Sequence, residues 1–300
     1  MKLFITFVLM PRPTRFSIAK KDIVAYFDSF PDKVYTKQDL SHICDLKRGN
    51  WRLAKSMYVD DFIEEMLKKT KLKEVKLSFP TGKIKRYIYG EVSVYKLAQA
   101  LRPKSYFSHY TALAFHQLTE QLPKTLYVTF EQSEKHYQRQ ALLQDNIDKA
   151  FAKKQRVSEN HVTYKGYTLY LLNGKHTDNE GVITIEHPQK GEMKVTNLER
   201  TLIDIAVRPA YSGGIGEVLK AYRNAKEQVS VNKLNAMLKR LDYIYPYHQV
   251  IGFYLERAGY RESQINLLKK RGFEHKFYLT YNMHKTEFSE TWQLYYPKGF

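Results

Sequence analysis

Between Val59 and Leu67 the apolar residues Val59, Phe62, Ile63, Met66 and Leu67 recur at i, i+3, i+4, i+7 and i+8, with Asp60, Asp61, Glu64 and Glu65 between them. Only an α-helix separates two such sets onto opposite faces, one for a core and one for water. Directly downstream the pattern changes to strict alternation, Val75, Leu77 and Phe79 separated by polar residues. That is the signature of a half-buried strand. Pro80-Thr81-Gly82-Lys83 follows and then Ile84 to Tyr89, which predicts a hairpin with a basic tip.

Two further helices are expected upstream. Ile23, Phe27 and Phe30 stand at i, i+4 and i+7 behind Ser17, read as the N-cap, and Pro31-Asp32 ends the run. Thr36 and Asp39 form a weak capping box ahead of Leu40, Ile43 and Cys44, and Gly49 closes that helix. Three short helices and a hairpin, with a tight turn between the second and third helices, is the order of a winged helix-turn-helix. The expected DNA-binding residues are Lys47, Arg48, Arg52, Lys55 and Ser56 around the turn and the start of the third helix, and Lys83, Lys85 and Arg86 on the hairpin. The acidic outer face of the third helix would repel phosphates, so only its first turn and a half can approach DNA.

Charge points the same way. The chain has 49 Lys plus Arg against 31 Asp plus Glu, a net +18, and residues 1 to 100 hold 20 basic against 11 acidic side chains. Such a field concentrates a polyanion at the surface. The lone cysteine, Cys44, excludes an internal disulfide and a multi-cysteine zinc site, which fits a reducing cytoplasm. Leu3 to Met10 is an apolar run too short to span a bilayer and lacks a cleavage site, so no membrane partner is expected, and Met10 is an alternative start.

With 300 residues, two domains are expected, because single cores stop growing near roughly 250 residues. The expected fold class is α+β: a winged helix-turn-helix over 15–91, a connecting helix over 92–104 that stops at Pro103, and a mixed α/β domain with C-terminal helices over 105–300. In the second domain a helix opens at Ser108, strands cover 125–130, 161–172 and 181–186, and helices cover 144–153, 197 onward and 248–258, with a terminal strand at 276–281. Tyr164, Leu169 and Ile183 are expected core contacts. Ile215, Val218, Leu219 and Tyr222, then Val231, Leu234, Leu238 and Leu241, make two more helical stripes. Arg200 and Asp204, four apart, are expected to pair at an exposed site for a few tenths of a kcal/mol.

The strings YFSHYTALAFHQLTEQLPKTLYVTFEQS, from Tyr106, and VTNLERTLIDIAVRPAYSGGIGEVLKAYRNA, from Val195, resemble AbiEi-family antitoxins of type IV toxin-antitoxin systems. The Ser-His-x-x-Ala-Leu opening at Ser108, the Pro-Lys-Thr-x-Tyr-Val strand at Pro123 and the Glu-Arg-Thr-Leu-Ile-Asp helix at Glu199 occur in the family's order, and the resemblance covers nearly all of residues 15 to 260. It implies a cytoplasmic autorepressor that binds inverted repeats of double-stranded DNA in its own promoter and neutralises a toxin of nucleotidyltransferase type.

No catalytic constellation stands out, so no cofactor, metal or catalytic residue is expected. Gly213, Gly214 and Gly216 lack the strand and Gly-Lys of a phosphate loop. His109 and His116, seven apart, are read as packing or capping groups. The alternative is a metal-dependent nuclease using Glu199 and Asp204 with a winged-helix targeting domain, although no third carboxylate stands nearby. A module that only meets an acidic toxin is a third reading.

Overall fold

A computed structural model of the chain describes residues 13–31, 33–134, 141–188 and 190–300. The Leu3 to Met10 run and Asp32 lie outside them. Two compact units divide the chain: one runs to Leu77 and resumes over Lys83–Leu97, the other holds Ser78–Gly82 and Ala98–Phe300. The fold is mixed α+β throughout.

In the first unit α1 (Arg15–Asp28), β1 (Val34–Tyr35), α2 (Lys37–Lys47) and α3 (Val59–Lys69) precede the hairpin strands β2 (Leu72–Phe79) and β3 (Gly82–Tyr89), whose tip Ser78–Gly82 belongs to the second unit, and α4 (Val94–Gln99) crosses the boundary after Leu97. The three strands form one sheet in the order β1-β3-β2, with β1 antiparallel to β3. Thr14, not Ser17, caps α1: its Oγ1 accepts the Ser17 amide at 3.2 Å, so the helix starts one turn earlier than the apolar spacing suggested. It also stops at Asp28, which leaves Phe30 outside it and 39% exposed. Thr36 and Asp39 make both bonds of the capping box on α2. The apolar stripe of α3 buries Phe62, Ile63 and Met66 against Phe16, Ile23, Phe27, Leu40 and Trp51, each such side chain contributing about 1.5–3 kcal/mol. Regular helix in the connecting segment is confined to α4.

The second unit opens with β4 (Tyr106–Phe107), α5 (His109–Phe115), β5 (Thr125–Glu131) and α6 (Gln144–Phe151). Then come β6 (His161–Tyr164), β7 (Tyr167–Gly174), β8 (Val182–His187) and β9 (Gly191–Thr196). These six strands make one mixed sheet in the order β6-β7-β5-β4-β9-β8, with parallel pairs β5/β7 and β4/β9. The expected single strand over 161–172 is two, because Lys165 and Gly166 both have positive φ (47° and 78°) and fold the chain back in a two-residue hairpin. Ile183 is on the outermost strand and 39% exposed rather than in the core, while Leu169 is fully buried.

Helices α7 (Leu198–Val207), α8 (Ile215–Asn224), α9 (Val231–Leu241), α10 (Tyr247–Arg257) and α11 (Glu262–Lys269) build the helical layer, and β10 (Phe277–Tyr278), β11 (Thr286–Ser289) and β12 (Leu294–Pro297) close it with a small sheet. The last stretch thus holds three strands where one, over 276–281, is expected, and α11 is a helix that the apolar spacing does not announce. Gly252 on α10 is required by close approach: a Cβ there would lie 2.0 Å from the buried Trp292 ring.

Every residue of α7 from Arg200 to Val207 is buried. The Arg200–Asp204 pair is therefore interior, with Nε to Oδ1 at 2.8 Å and side chains 6% and 8% exposed, which overturns the expected exposed pair. Arg200 Nη1 also donates to the Glu180 carbonyl at 2.7 Å and to Thr177 Oγ1 at 3.3 Å. Burial opposes its charge, but Asp204 beside it holds the guanidinium above its ordinary value. Thr177 passes the network on to Glu131, whose carboxylate accepts the Thr177 amide at 2.7 Å and the Asn179 amide at 3.2 Å. His109, the first residue of α5, has φ 52°, is buried, and faces Ser108 Oγ at 2.8 Å through Nδ1. Burial pushes its imidazole down to about 4, against a weaker pull upward from Asp204.

Two outcomes follow. Asp204→Ala leaves a buried guanidinium without its anion and costs about 3–5 kcal/mol in denaturant titration, whereas Arg200→Met with Asp204→Leu costs less. His109 is neutral in the fold and titrates near its ordinary value when unfolded, so its contribution is complete above about pH 6.5 and is lost as pH falls toward about 4. The loss amounts to about 3 kcal/mol, and a melting curve series from pH 7 to 4.5 is flatter for His109→Asn.

Candidate nucleic-acid interface

The eight residues expected to meet DNA lie in the first unit, but the fold gives them different jobs. Arg48 stands at the end of α2 and turns inward. Its Nη1 donates to the carbonyls of Ala54 and Met57, both at 2.8 Å, and its Nη2 pairs with Asp45 at 2.8 Å. A planar guanidinium reaches all three acceptors at once, so this side chain ties the end of α2 to the approach of α3. The hydrogen bond to Asp45 is the main reason its charge is held even above the ordinary value. Arg48 is therefore a brace for the α2–α3 turn, and the signal for it in the sequence is Asp45 three residues upstream. Lys47 lies over the Tyr26 ring, 4.8 Å from its centroid.

Arg52, Lys55 and Ser56 occupy that turn and are exposed. Trp51 and Leu53, each 5% exposed, flank Arg52 and both point into the core. Between these two buried neighbours Arg52 lies in the left-handed region at φ 51° with its side chain exposed, and its amide donates to the Gly49 carbonyl at 3.0 Å. Among the described residues no carboxylate pairs with Arg52 or Lys55 within 4.0 Å.

On the hairpin, Lys83 is exposed, whereas Lys85 pairs with Glu74 at 2.8 Å, and Glu74 also holds Lys76 at 2.8 Å. Those two bonds hold the Glu74 carboxyl below its ordinary range. Arg86 Nη1 donates to the Lys85 carbonyl at 2.7 Å. Lys85 is raised first by Glu74 and also feels Asp60, so the start of α3 and the middle of β3 are electrostatic neighbours. Asp60 is itself paired with Lys37 at 2.7 Å, a cation absent from the expected set. The carboxylates of α3 are matched within the helix by Lys68 on Glu64 and Lys69 on Glu65. Of the expected set, the exposed cations with no carboxylate within 4.0 Å among the described residues are thus Arg52 and Lys55 in the loop, beside Ser56, and Lys83 on the hairpin, while Lys47 over Tyr26 and Arg86 are half-buried.

In the second unit Glu199 and Asp204 do not share a site: Glu199 accepts the Ser230 amide at 3.1 Å and Asp204 holds Arg200. His116 Nε2 meets the Thr196 carbonyl at 2.6 Å. Among the described residues no group of three His, Cys, Asp or Glu side chains is placed to hold a metal ion, and no helix is long and apolar enough to cross a membrane.

No protein-family model and no curated protein matches the chain. Among solved structures, the crystal structure of the RV2827C protein from Mycobacterium tuberculosis is similar, with a TM-score of 0.58 at 14% identity over 93% of this chain and 91% of that one. At that identity the likeness is one of fold.

Removing the guanidinium from position 48 leaves two carbonyls without a donor, so Arg48→Ala destabilises by about 1–3 kcal/mol and Arg48→Lys does not restore it. Arg52→Ala and Lys55→Ala each shift stability by less than about 0.5 kcal/mol, read by urea unfolding.

Proposed function

We propose that this chain is a DNA-binding transcriptional regulator: its first unit is a winged helix-turn-helix, and its second is an antitoxin domain of AbiEi type. The observation that carries the reading is the element order α1-β1-α2-α3-β2-β3 with β1 and β2 flanking β3, joined to an exposed cationic loop directly before α3. In a winged helix that loop and the first turn of the third helix enter the major groove, and the hairpin tip reaches the adjacent backbone. Arg52 and Lys55 supply the charge, Ser56 a hydroxyl, and Lys83 the hairpin contact. Arg48 and Lys85 act indirectly, by holding the turn and by neutralising Glu74. The acidic, internally paired face of α3 keeps the rest of that helix away from phosphate.

The resemblance of the 106–133 and 195–225 segments supports the further reading that the protein represses its own promoter at inverted repeats and neutralises a nucleotidyltransferase-type toxin. The protein acts in the cytoplasm as a binder rather than an enzyme.

The test is binding of the full chain to a duplex from its own upstream region across a salt series. Affinity falls steeply with salt for the wild type. Arg52→Ala with Lys55→Ala weakens binding by at least about tenfold and lowers the salt slope by about 2. Unchanged binding would remove the proposed reading head. Co-expression with a neighbouring nucleotidyltransferase, scored as rescue of growth, tests the antitoxin role separately.

A further inference from the structure

The six-stranded sheet carries a row of rings that does not belong to the N-terminal site. Register places Tyr127 on β5 beside Tyr170 on β7, and Tyr170 beside His161 on β6. Their centroids are 5.2 and 4.7 Å apart with interplanar angles of 34° and 25°, and Tyr211 continues the row behind Tyr127 at 5.4 Å. The row is buried at the Tyr211 end and opens outward: Tyr127 and Tyr170 are half-buried and His161 is exposed. Because β6 is an edge strand, within the sheet the His161 ring has a stacking neighbour on one side only. A cross-strand aromatic ladder stabilises a sheet in any protein, so the rings alone assign nothing.

The second observation is charge. The segment before β6 presents Lys153, Lys154 and Arg156, all exposed, and the exposed Arg208 is tied to it through Nη1 on the Arg156 carbonyl at 3.1 Å. The same segment is fastened to the inner end of the row, where the Ser158 amide donates to Tyr211 Oη at 2.7 Å and the Ala210 amide to Gln155 Oε1 at 3.3 Å. None of the four cations has a carboxylate within 4.0 Å among the described residues. Glu159 is the one acid in the segment.

We infer that this face of the second unit binds single-stranded nucleic acid, with a base stacking on the outer face of His161 and the backbone running along the Lys153–Arg156 segment and Arg208. The combination selects the ligand. An open ring face at the end of a stack accepts a base, and bases in a duplex are already stacked on each other, so a duplex cannot supply one without opening. The cations lie at the Tyr211 end of the same row, so a phosphodiester backbone that starts from a base on His161 and follows the row reaches them. None of its residues is among those proposed to meet duplex DNA, and Thr81 of the hairpin tip donates to Asn160 Oδ1, next to His161, at 2.7 Å.

The experiment uses the full chain and fluorescein-labelled oligothymidylate and oligouridylate of about 20 nucleotides, read by anisotropy over a salt series. Binding of either strand is expected, and the tighter one tells DNA from RNA. His161→Ala weakens it by about 5- to 150-fold, while His161→Phe, which keeps a ring, stays within about twofold. The triple change Lys153→Ala, Lys154→Ala, Arg156→Ala weakens it and lowers the salt slope by about 2. The fold-effect of His161→Ala is the same in a background carrying Arg52→Ala with Lys55→Ala. The inference is overturned if the wild type binds neither strand, if His161→Ala matches the wild type, or if binding disappears with Arg52 and Lys55 instead.

Discussion

The second unit is organised around one buried cation. Arg200 on α7 has a side chain only 6% exposed, and its guanidinium is matched by Asp204 on the same helix, by the Glu180 carbonyl and by Thr177, which is shared with Glu131. A charge in that setting is tolerated only when its donors are satisfied. The requirement fixes the position of the 177–180 turn against α7, and through Glu131 the end of β5 against the same turn. Strand, turn and helix are thus held in one register by a polar network, while the apolar side chains of α7 and its neighbours supply the bulk of the burial. Gly252 shows how tightly that bulk is packed, since α10 meets the Trp292 ring with no room for a methyl group.

Much of the first unit was legible because its signals are local. The helical stripe of α3 and the alternation of β2 each lie within a dozen residues, and the Thr36–Asp39 box is a four-residue motif. What failed was equally physical. Ser17 lost the cap position to Thr14 because one further turn of helix buries Phe16, which the i, i+4 count from Ile23 did not include. The β6–β7 hairpin was invisible as an apolar break, since Lys165-Gly166 interrupts nothing in the hydrophobic pattern and reveals itself only through its positive φ values. Ile183 is a strand residue by type, but burial depends on having a strand on each side, and sheet order is not local information.

The candidate site was legible as a cluster and not as a set of roles. A sequence counts Arg48, Arg52 and Lys55 alike. The fold separates them by what lies within hydrogen-bonding distance: Arg48 meets two carbonyls and an aspartate, while Arg52 is expelled by the burial of Trp51 and Leu53. The same sorting applies to the hairpin, where Glu74 on the neighbouring strand takes up Lys85. Pairing across strands and between elements cannot be read from spacing, so sequence reasoning overcounts the available charge.

This changes what the net +18 means. Residues 1 to 100 hold 20 basic side chains against 11 acidic ones, and Asp28, Asp45, Asp60, Glu64, Glu65, Glu74 and Glu91 each hold a cation in an ion pair, so the excess rests on the basic side chains left over. A long-range field depends on unmatched charge, and matched pairs at the surface contribute little beyond a few ångströms at physiological salt. A potential able to attract a polyanion would therefore come from short stretches where exposed cations follow one another without an acid, as at 52–55 and 153–156. Where the backbone also fixes such a stretch, by the left-handed Arg52 in one unit and by the Tyr211 and Ala210 bonds in the other, less conformational freedom is lost on binding, and a few cations suffice where a mobile tail would need many.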